Sequence, residues 1–210
     1  MILLITCIQH KYACIALFYV FGLVCLTEFN KLIKQKSSAS YLIFTSVFLL
    51  FAISELLLNN AEIINQVSQI FHVLSVFVNL FLIRDLFSSK ELPNLISNQF
   101  INTTFYISSG FVFLILIAFN FGNYNPQIIL GIFLLIWTND SFAYLIGKNF
   151  GKQKLFASIS PKKTVEGFLG GVFFSAIGSY FIALIAPSLS FTNWLIISVL
   201  VSVFGTLGDL

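Results

Sequence analysis

Charge is what this chain has least of. Of its 210 residues, 9% are Asp, Glu, Lys or Arg, against about 25% in an ordinary soluble domain. Eleven basic and eight acidic side chains cannot coat a water-soluble globule of this size. A disordered chain, a basic nucleic-acid-binding domain and a soluble enzyme are thereby excluded. Cysteine is scarce too. Cys7, Cys14 and Cys25 are an odd number with no CxxC spacing, so neither a disulfide framework nor a zinc site is supported, and they read as small apolar fillers. No basic segment precedes the short apolar run Met1–Ile8, so it is not a standard signal peptide. Internal repeats and low-complexity linkers are also lacking. What is present is apolar surface: 58% of residues are hydrophobic and the mean hydropathy is +0.97. The fold class expected is all-α, a polytopic helical membrane protein forming a single transmembrane domain over 1–210.

Charge-free runs count the spans. A crossing helix needs about 20 residues. The runs Tyr12–Thr27, Ser37–Ser54 and Ile63–Ile83 suit one helix each. Leu92–Asn139 and Gly167–Gly208 are long enough for two each, divided at Asn120–Pro126 and near Pro187–Asn193. Seven helices follow, at roughly 12–27, 41–58, 64–83, 102–119, 127–146, 167–186 and 193–208. Ten of the eleven basic residues then fall in the first, third and fifth connections, leaving only Lys11 elsewhere. Because cytoplasmic loops are the basic ones, the N-terminus is expected outside and the C-terminus in the cytoplasm.

The fifth connection holds the first functional signal. Lys148, Lys152, Lys154, Lys162 and Lys163 occur there with no acid among them. A basic loop alone signals topology or attraction to anionic lipid. Here, though, Ser160-Pro161 reads as a helix start, with serine at the N-cap and proline at the first helical position. That places Lys162 and Lys163 in the first turn of the sixth helix. Cations are unfavourable at that end of the dipole unless a polyanion arrives, and exposed N–H groups with two ammonium groups make a phosphate site. Gly147–Lys152 is not a Walker A motif: three residues separate the glycines, and Gln153 follows the lysine.

Asp140 is the second signal. It lies eight residues before Lys148, roughly 12 Å inside the helix end. A carboxylate there costs on the order of 2.5–3.5 kcal/mol. Thr138, Asn139 and Ser141 surround it, and Asp209 closes the seventh helix on the same side. Asp140, Lys162, Lys163 and Asp209 are expected to meet near one membrane face. Gly167, Gly171, Ser175, Ser179 and Ala183 form a small-residue stripe suited to close helix packing. His72 reads as a satisfied interior group in preference to a proton relay, Glu28 as an interfacial helix-end group facing Lys31 or a residue lining the cytoplasmic cavity, and Trp194 as part of an outer aromatic belt.

The run Trp137–Tyr144, the pairs Gly147-Lys148 and Gly151-Lys152, the segment Ile159–Gly167 with Gly170-Gly171, and Gly205-x-x-Gly208-Asp209-Leu210 together resemble the phosphatidate cytidylyltransferase (CDP-diacylglycerol synthase) family. The likeness covers roughly 127–210 in detail and the first half in hydropathy only; its most specific part is SPKKTxEG. It implies the reaction of CTP with phosphatidate to give CDP-diacylglycerol and pyrophosphate, with Mg2+, at a bacterial inner membrane. It implies catalytic roles for Asp209, Asp140 and Lys163, metal binding by Asp209 and Asp140, and substrate binding by Ser160, Lys162, Lys163, Thr164 and Asn139. Expected partners are CTP, phosphatidate and the bilayer, with no nucleic acid; a homodimer is compatible, and the sequence carries no signal of oligomeric state. The family's further signature after the GDL block has a Lys-Arg pair, a Lys-Asp pair, a His-Gly-Gly turn and a final Asp-Arg. The sequence stops before it, so a truncated member of weak or no activity is expected. The competing readings are a transporter or channel using Asp140 and His72, and a CTP-dependent transferase acting on isoprenoid lipids.

Overall fold

A computed structural model describes residues 10–34, 38–57, 61–87, 99–119 and 124–209. Cys7, Lys36, Lys90 and Leu210 lie outside the described residues, as does the run Met1–Ile8. The chain is helical almost throughout: α1 Lys11–Leu32, α2 Ala39–Leu57, α3 Ala61–Phe87, a composite α4, α5 Pro126–Phe150, α6 Val165–Ile185 and α7 Phe191–Gly208. Helix α4 runs through Gln99–Asn102, a π segment Thr103–Ser108 and Ser109–Phe119. Five helices (α1, α2, α5, α6 and α7) contain stretches long and apolar enough to cross a bilayer, while α3 and α4 contribute the shorter apolar helices Ser68–Arg84 and Thr103–Phe119. The protein is an all-α polytopic membrane protein, its backbone polar groups satisfied within each helix as lipid demands.

Two compact units divide the chain at residue 126. In the first, α1 buries Cys14, Phe18, Gly22, Leu26 and Asn30, one residue per turn. This stripe belongs to a core that includes Phe44, Phe48 and Ala52 of α2 and Val112, Ile115 and Ala118 of α4. Gly22 is required by the crossing, because a Cβ there would run into the Phe44 ring. In the π segment the helix widens to i→i+5 spacing, and Asn79 of α3 donates to the Phe105 carbonyl at 3.2 Å. His72 binds the Ser68 carbonyl at 2.5 Å and stacks on Phe113 at 4.4 Å, so its ring is engaged locally. Glu28 pairs with Lys31 at 2.7 Å. Cys14 is buried and Cys25 exposed.

The second unit holds α5, a hairpin, α6 and α7. Helix α6 is sorted inside out. Gly167, Gly170, Gly171, Ser175 and Ser179 are buried, whereas Leu169, Phe173, Ile177, Phe181 and Leu184 face outward. Lipid accepts the large apolar side chains, and small residues let neighbouring helices approach. Ser175 joins α6 to Ser202 of α7 at 2.8 Å.

Two expectations are corrected here. Ser160 and Pro161 do not start a helix. Ser160–Thr164 is strand β2, antiparallel to β1 (Lys154–Phe156) with Lys154 opposite Thr164 and Phe156 opposite Ser160. Lys162 and Lys163 therefore sit on a strand, and α6 starts at Val165 with Thr164 as its cap. The residue before a proline is pushed toward extended backbone, and Thr164 is an equally competent cap. Nor does Trp194 lie in an aromatic belt. It is fully buried, its Nε1 donates to the Ala186 carbonyl at 3.1 Å, and a Cβ on Gly131 of α5 would strike its ring. The missing side chain at Gly131 makes the slot that the indole occupies. Gly131→Val should cost about 1–3 kcal/mol by overpacking, whereas Gly110→Ala, with nothing within 4 Å of the new Cβ, should be neutral or slightly stabilising. Unfolding by SDS titration in mixed micelles measures both; equal effects would contradict this packing.

Candidate functional site

A cavity of about 490 Å³ opens at the end of the second unit where α5 finishes, α6 begins and α7 finishes. Its α5 wall is Asn139, Asp140, Ala143, Tyr144, Gly147 and Lys148. These positions recur every three or four residues, so they share one face of the helix. Leu155, Lys162, Lys163 and Thr164 come from the hairpin, Gly167 and Phe168 from α6, and Gly205, Thr206 and Asp209 from α7.

Glycine brings the walls together. A Cβ on Gly167 would lie 2.7 Å from the Ala143 carbonyl oxygen, and one on Gly147 would lie 3.5 Å from the Gly167 Cα. The backbones of α5 and α6 thus touch without an intervening side chain. Higher up, a Cβ on Gly171 would come within 2.6 Å of Asn139 Oδ1, so the bare backbone there accommodates the asparagine. Asn139 Nδ2 donates to Asp140 Oδ1 at 3.2 Å, whereas its buried Oδ1 has no partner. Asp140 itself is exposed to the cavity.

Thr164 ends the hairpin and begins α6. Its Oγ1 accepts from the Gly167 N–H at 3.2 Å, satisfying one of the orphan donors at the helix start. The preceding residue, Lys163, reaches across to the end of α7. Its Nζ donates to the Thr206 carbonyl at 3.1 Å and the Asp209 carbonyl at 3.0 Å, and pairs with Asp209 Oδ2 at 3.1 Å. Three acceptors match the three N–H bonds of an ammonium. They also lie at a helix C-terminus, where the dipole favours a cation. The Asp209 side chain is 83% exposed, so the ion pair itself is worth little in stability and the carboxylate stays accessible. Lys162 is exposed at the cavity.

Asp140, Lys162, Lys163, Thr164, Asn139 and Asp209 are thus brought to one cavity, while Ser160 lies at the far end of β2 and is not among its lining residues. Sequence reasoning missed Tyr144, Phe168 and Thr206. Tyr144 had a signal, since it closes the Trp137–Tyr144 run one turn after Asp140, although no role was assigned to it; in the structure Lys148 lies 5.8 Å from its ring. Thr206 contributes a backbone carbonyl, which no side-chain pattern reveals. Two carboxylates, those of Asp140 and Asp209, line this space, whereas the Asn139 amide oxygen is buried against Gly171. The two aspartates are the residues able to hold a hard divalent cation, which takes one or two carboxylates and completes its shell with water and phosphate. Among the described residues no group of three or more His, Cys, Asp and Glu is placed to hold a metal ion.

Comparison with known proteins bears on this site. The profile of the cytidylyltransferase family matches residues 1–210. The phosphatidate cytidylyltransferase of Aquifex aeolicus is 44% identical over 112 residues, covering 53% of this chain and 41% of that protein. The Bacillus subtilis protein of the same name is 41% identical over 106 residues, 50% of this chain and 39% of the relative. The matched part therefore spans about two fifths of these relatives' length. No solved structure matches the chain. Replacing the Thr164 cap by alanine should cost about 1 kcal/mol and by serine much less, whereas Gly167→Ala should cost about 1–3 kcal/mol by forcing α5 and α6 apart. SDS-titration unfolding ranks the three; a Gly167→Ala variant as stable as Thr164→Ser would contradict the close crossing.

Proposed function

This chain belongs to the cytidylyltransferase family, and from that premise we propose that it acts in cytidylyl transfer from CTP to phosphatidate, giving CDP-diacylglycerol and pyrophosphate. The carrying observation is the cavity that gathers Lys162, Lys163, Asp140 and Asp209 at one end of three apolar helices. Its volume, about 490 Å³, is within the range of small-molecule sites. Bacterial relatives support a bacterial inner membrane. The lysine-rich connection on this side supports a cytoplasmic mouth, where CTP is available, with the N-terminus outside.

The chemistry follows from charge. An oxygen of the lipid phosphate attacks the α-phosphorus of CTP. The bond from that phosphorus to the bridging oxygen breaks, and pyrophosphate leaves with the electron pair. The nucleophile is already ionised at neutral pH, so no strong general base is required. The obstacle is the approach of two polyanions, and catalysis consists mainly of positioning and charge stabilisation. Lys162 faces the cavity with its ammonium available to phosphate oxygens. Lys163 exchanges its α7 carbonyls for phosphate oxygens when nucleotide enters, which releases the Asp209 carboxylate. Asn139 holds Asp140 in orientation through its amide N–H. Leu155, Phe168 and the ring of Tyr144 give the apolar side against which the glycerol end of a lipid rests. Asp140 and Asp209 would hold Mg2+, which when bound neutralises developing phosphate charge.

CTP binding to the detergent-solubilised chain tests this reading, with CDP-diacylglycerol formation from phosphatidate in mixed micelles as the activity assay. Lys162→Ala and Lys163→Ala should each weaken CTP binding about tenfold or more, as expected for a lost charge-assisted hydrogen bond, and raised salt should weaken the parent chain's binding. Unchanged affinity in both variants would contradict the proposal.

A further inference from the structure

Glu166 does not line the cavity, yet it is the acid nearest to the lysine hairpin in sequence. Both of its carboxylate oxygens accept from the Gln153 N–H, at 3.1 and 3.2 Å. The Gln153 carbonyl in turn accepts from the Val165 N–H at 3.0 Å. Both backbone groups of Gln153 are therefore tied to the first turn of α6, one residue outside the Lys154–Thr164 register of the hairpin. The N–H groups of Glu166 itself and of Lys152 also interact with the carboxylate, so it serves the helix start and the hairpin together. Peeling β1 from β2 would free the strand that carries Lys162 and Lys163.

We propose that Glu166 is a positioning residue: its carboxylate staples the hairpin to the start of α6 and so sets Lys162 and Lys163 over the cavity. The inference rests on the nucleotide-binding reading above. Its mechanical half stands apart from that reading, because the staple holds a backbone amide whether or not CTP binds.

The test uses the whole chain in detergent and two variants, Glu166→Ala and Glu166→Gln, with amide hydrogen exchange across residues 153–156 and CTP affinity as readouts. The alanine variant should raise exchange at Gln153 about tenfold or more, as loss of a bond to a charged acceptor implies, and should weaken CTP binding about tenfold. Glutamine keeps one carbonyl acceptor and should restore most of both. Unchanged exchange at Gln153 in the alanine variant overturns the staple. Equal CTP loss in the alanine and glutamine variants, without a change in exchange, assigns Glu166 to the helix dipole and also overturns it. Exchange that rises while CTP affinity holds overturns the positioning role. A parent chain that fails to bind CTP but loses Gln153 protection in the alanine variant overturns the nucleotide reading and supports the staple.

Discussion

Where α5 and α6 cross, no side chain separates them. The Ala143 carbonyl faces Gly167, Gly147 faces the same residue, and Thr164 Oγ1 borders both glycines, 3.0 Å from where either Cβ would lie. This contact fixes how far apart the cavity walls stand. With α5 held there, Asn139, Asp140 and Tyr144 face the hairpin side, and α6 delivers its capped N-terminus to the same place. Larger residues at either glycine would widen the crossing and separate the carboxylate on α5 from the lysines on β2. The small-residue face of α6 continues the constraint upward, meeting Asn139 at Gly171 and Ser202 of α7 at Ser175.

A chain with so much apolar surface must hold its cations near lipid without sinking them into it. In the second unit the lysines sit at a helix end and on a short hairpin. Lys163 is satisfied by two carbonyls and a carboxylate at the end of α7, where the dipole is negative. Glu166 faces the backbone amide of Gln153. Lys163 and Glu166 therefore have neighbours of suitable polarity before any ligand arrives, and large apolar side chains of α6 and α7 are left to face lipid. His72, which a transport pathway would need to expose, is bonded to its own helix and stacked on Phe113.

Much of this was legible in the sequence, because in a chain so poor in charge each charged residue carries positional information. Charge-free runs mark the helices, and the lysines, with one acid inside the fifth helix and one closing the seventh, point to one shared cavity. The hairpin was not legible. Ser160-Pro161 is compatible with a helix cap and with extended backbone, and only the competing cap at Thr164 together with the Gln153–Glu166 bond decides between them. Trp194 misled for a related reason: tryptophan near a helix end suits an interface, but the slot beside it depends on Gly131, more than sixty residues earlier. The π segment of α4 also has no sequence periodicity to announce it, and its Phe105 carbonyl is met by an asparagine from a different helix.

The central claim is that the space among α5, the hairpin, α6 and α7 receives a nucleoside triphosphate. Photolabelling with an azido-CTP analogue, followed by peptide mapping, addresses it most directly. The account predicts labelled peptides from the end of α5, the hairpin with the start of α6, and the end of α7, all competed away by unlabelled CTP. Competable label confined to residues 10–119, or none in the hairpin and the ends of α5 and α7, would contradict it.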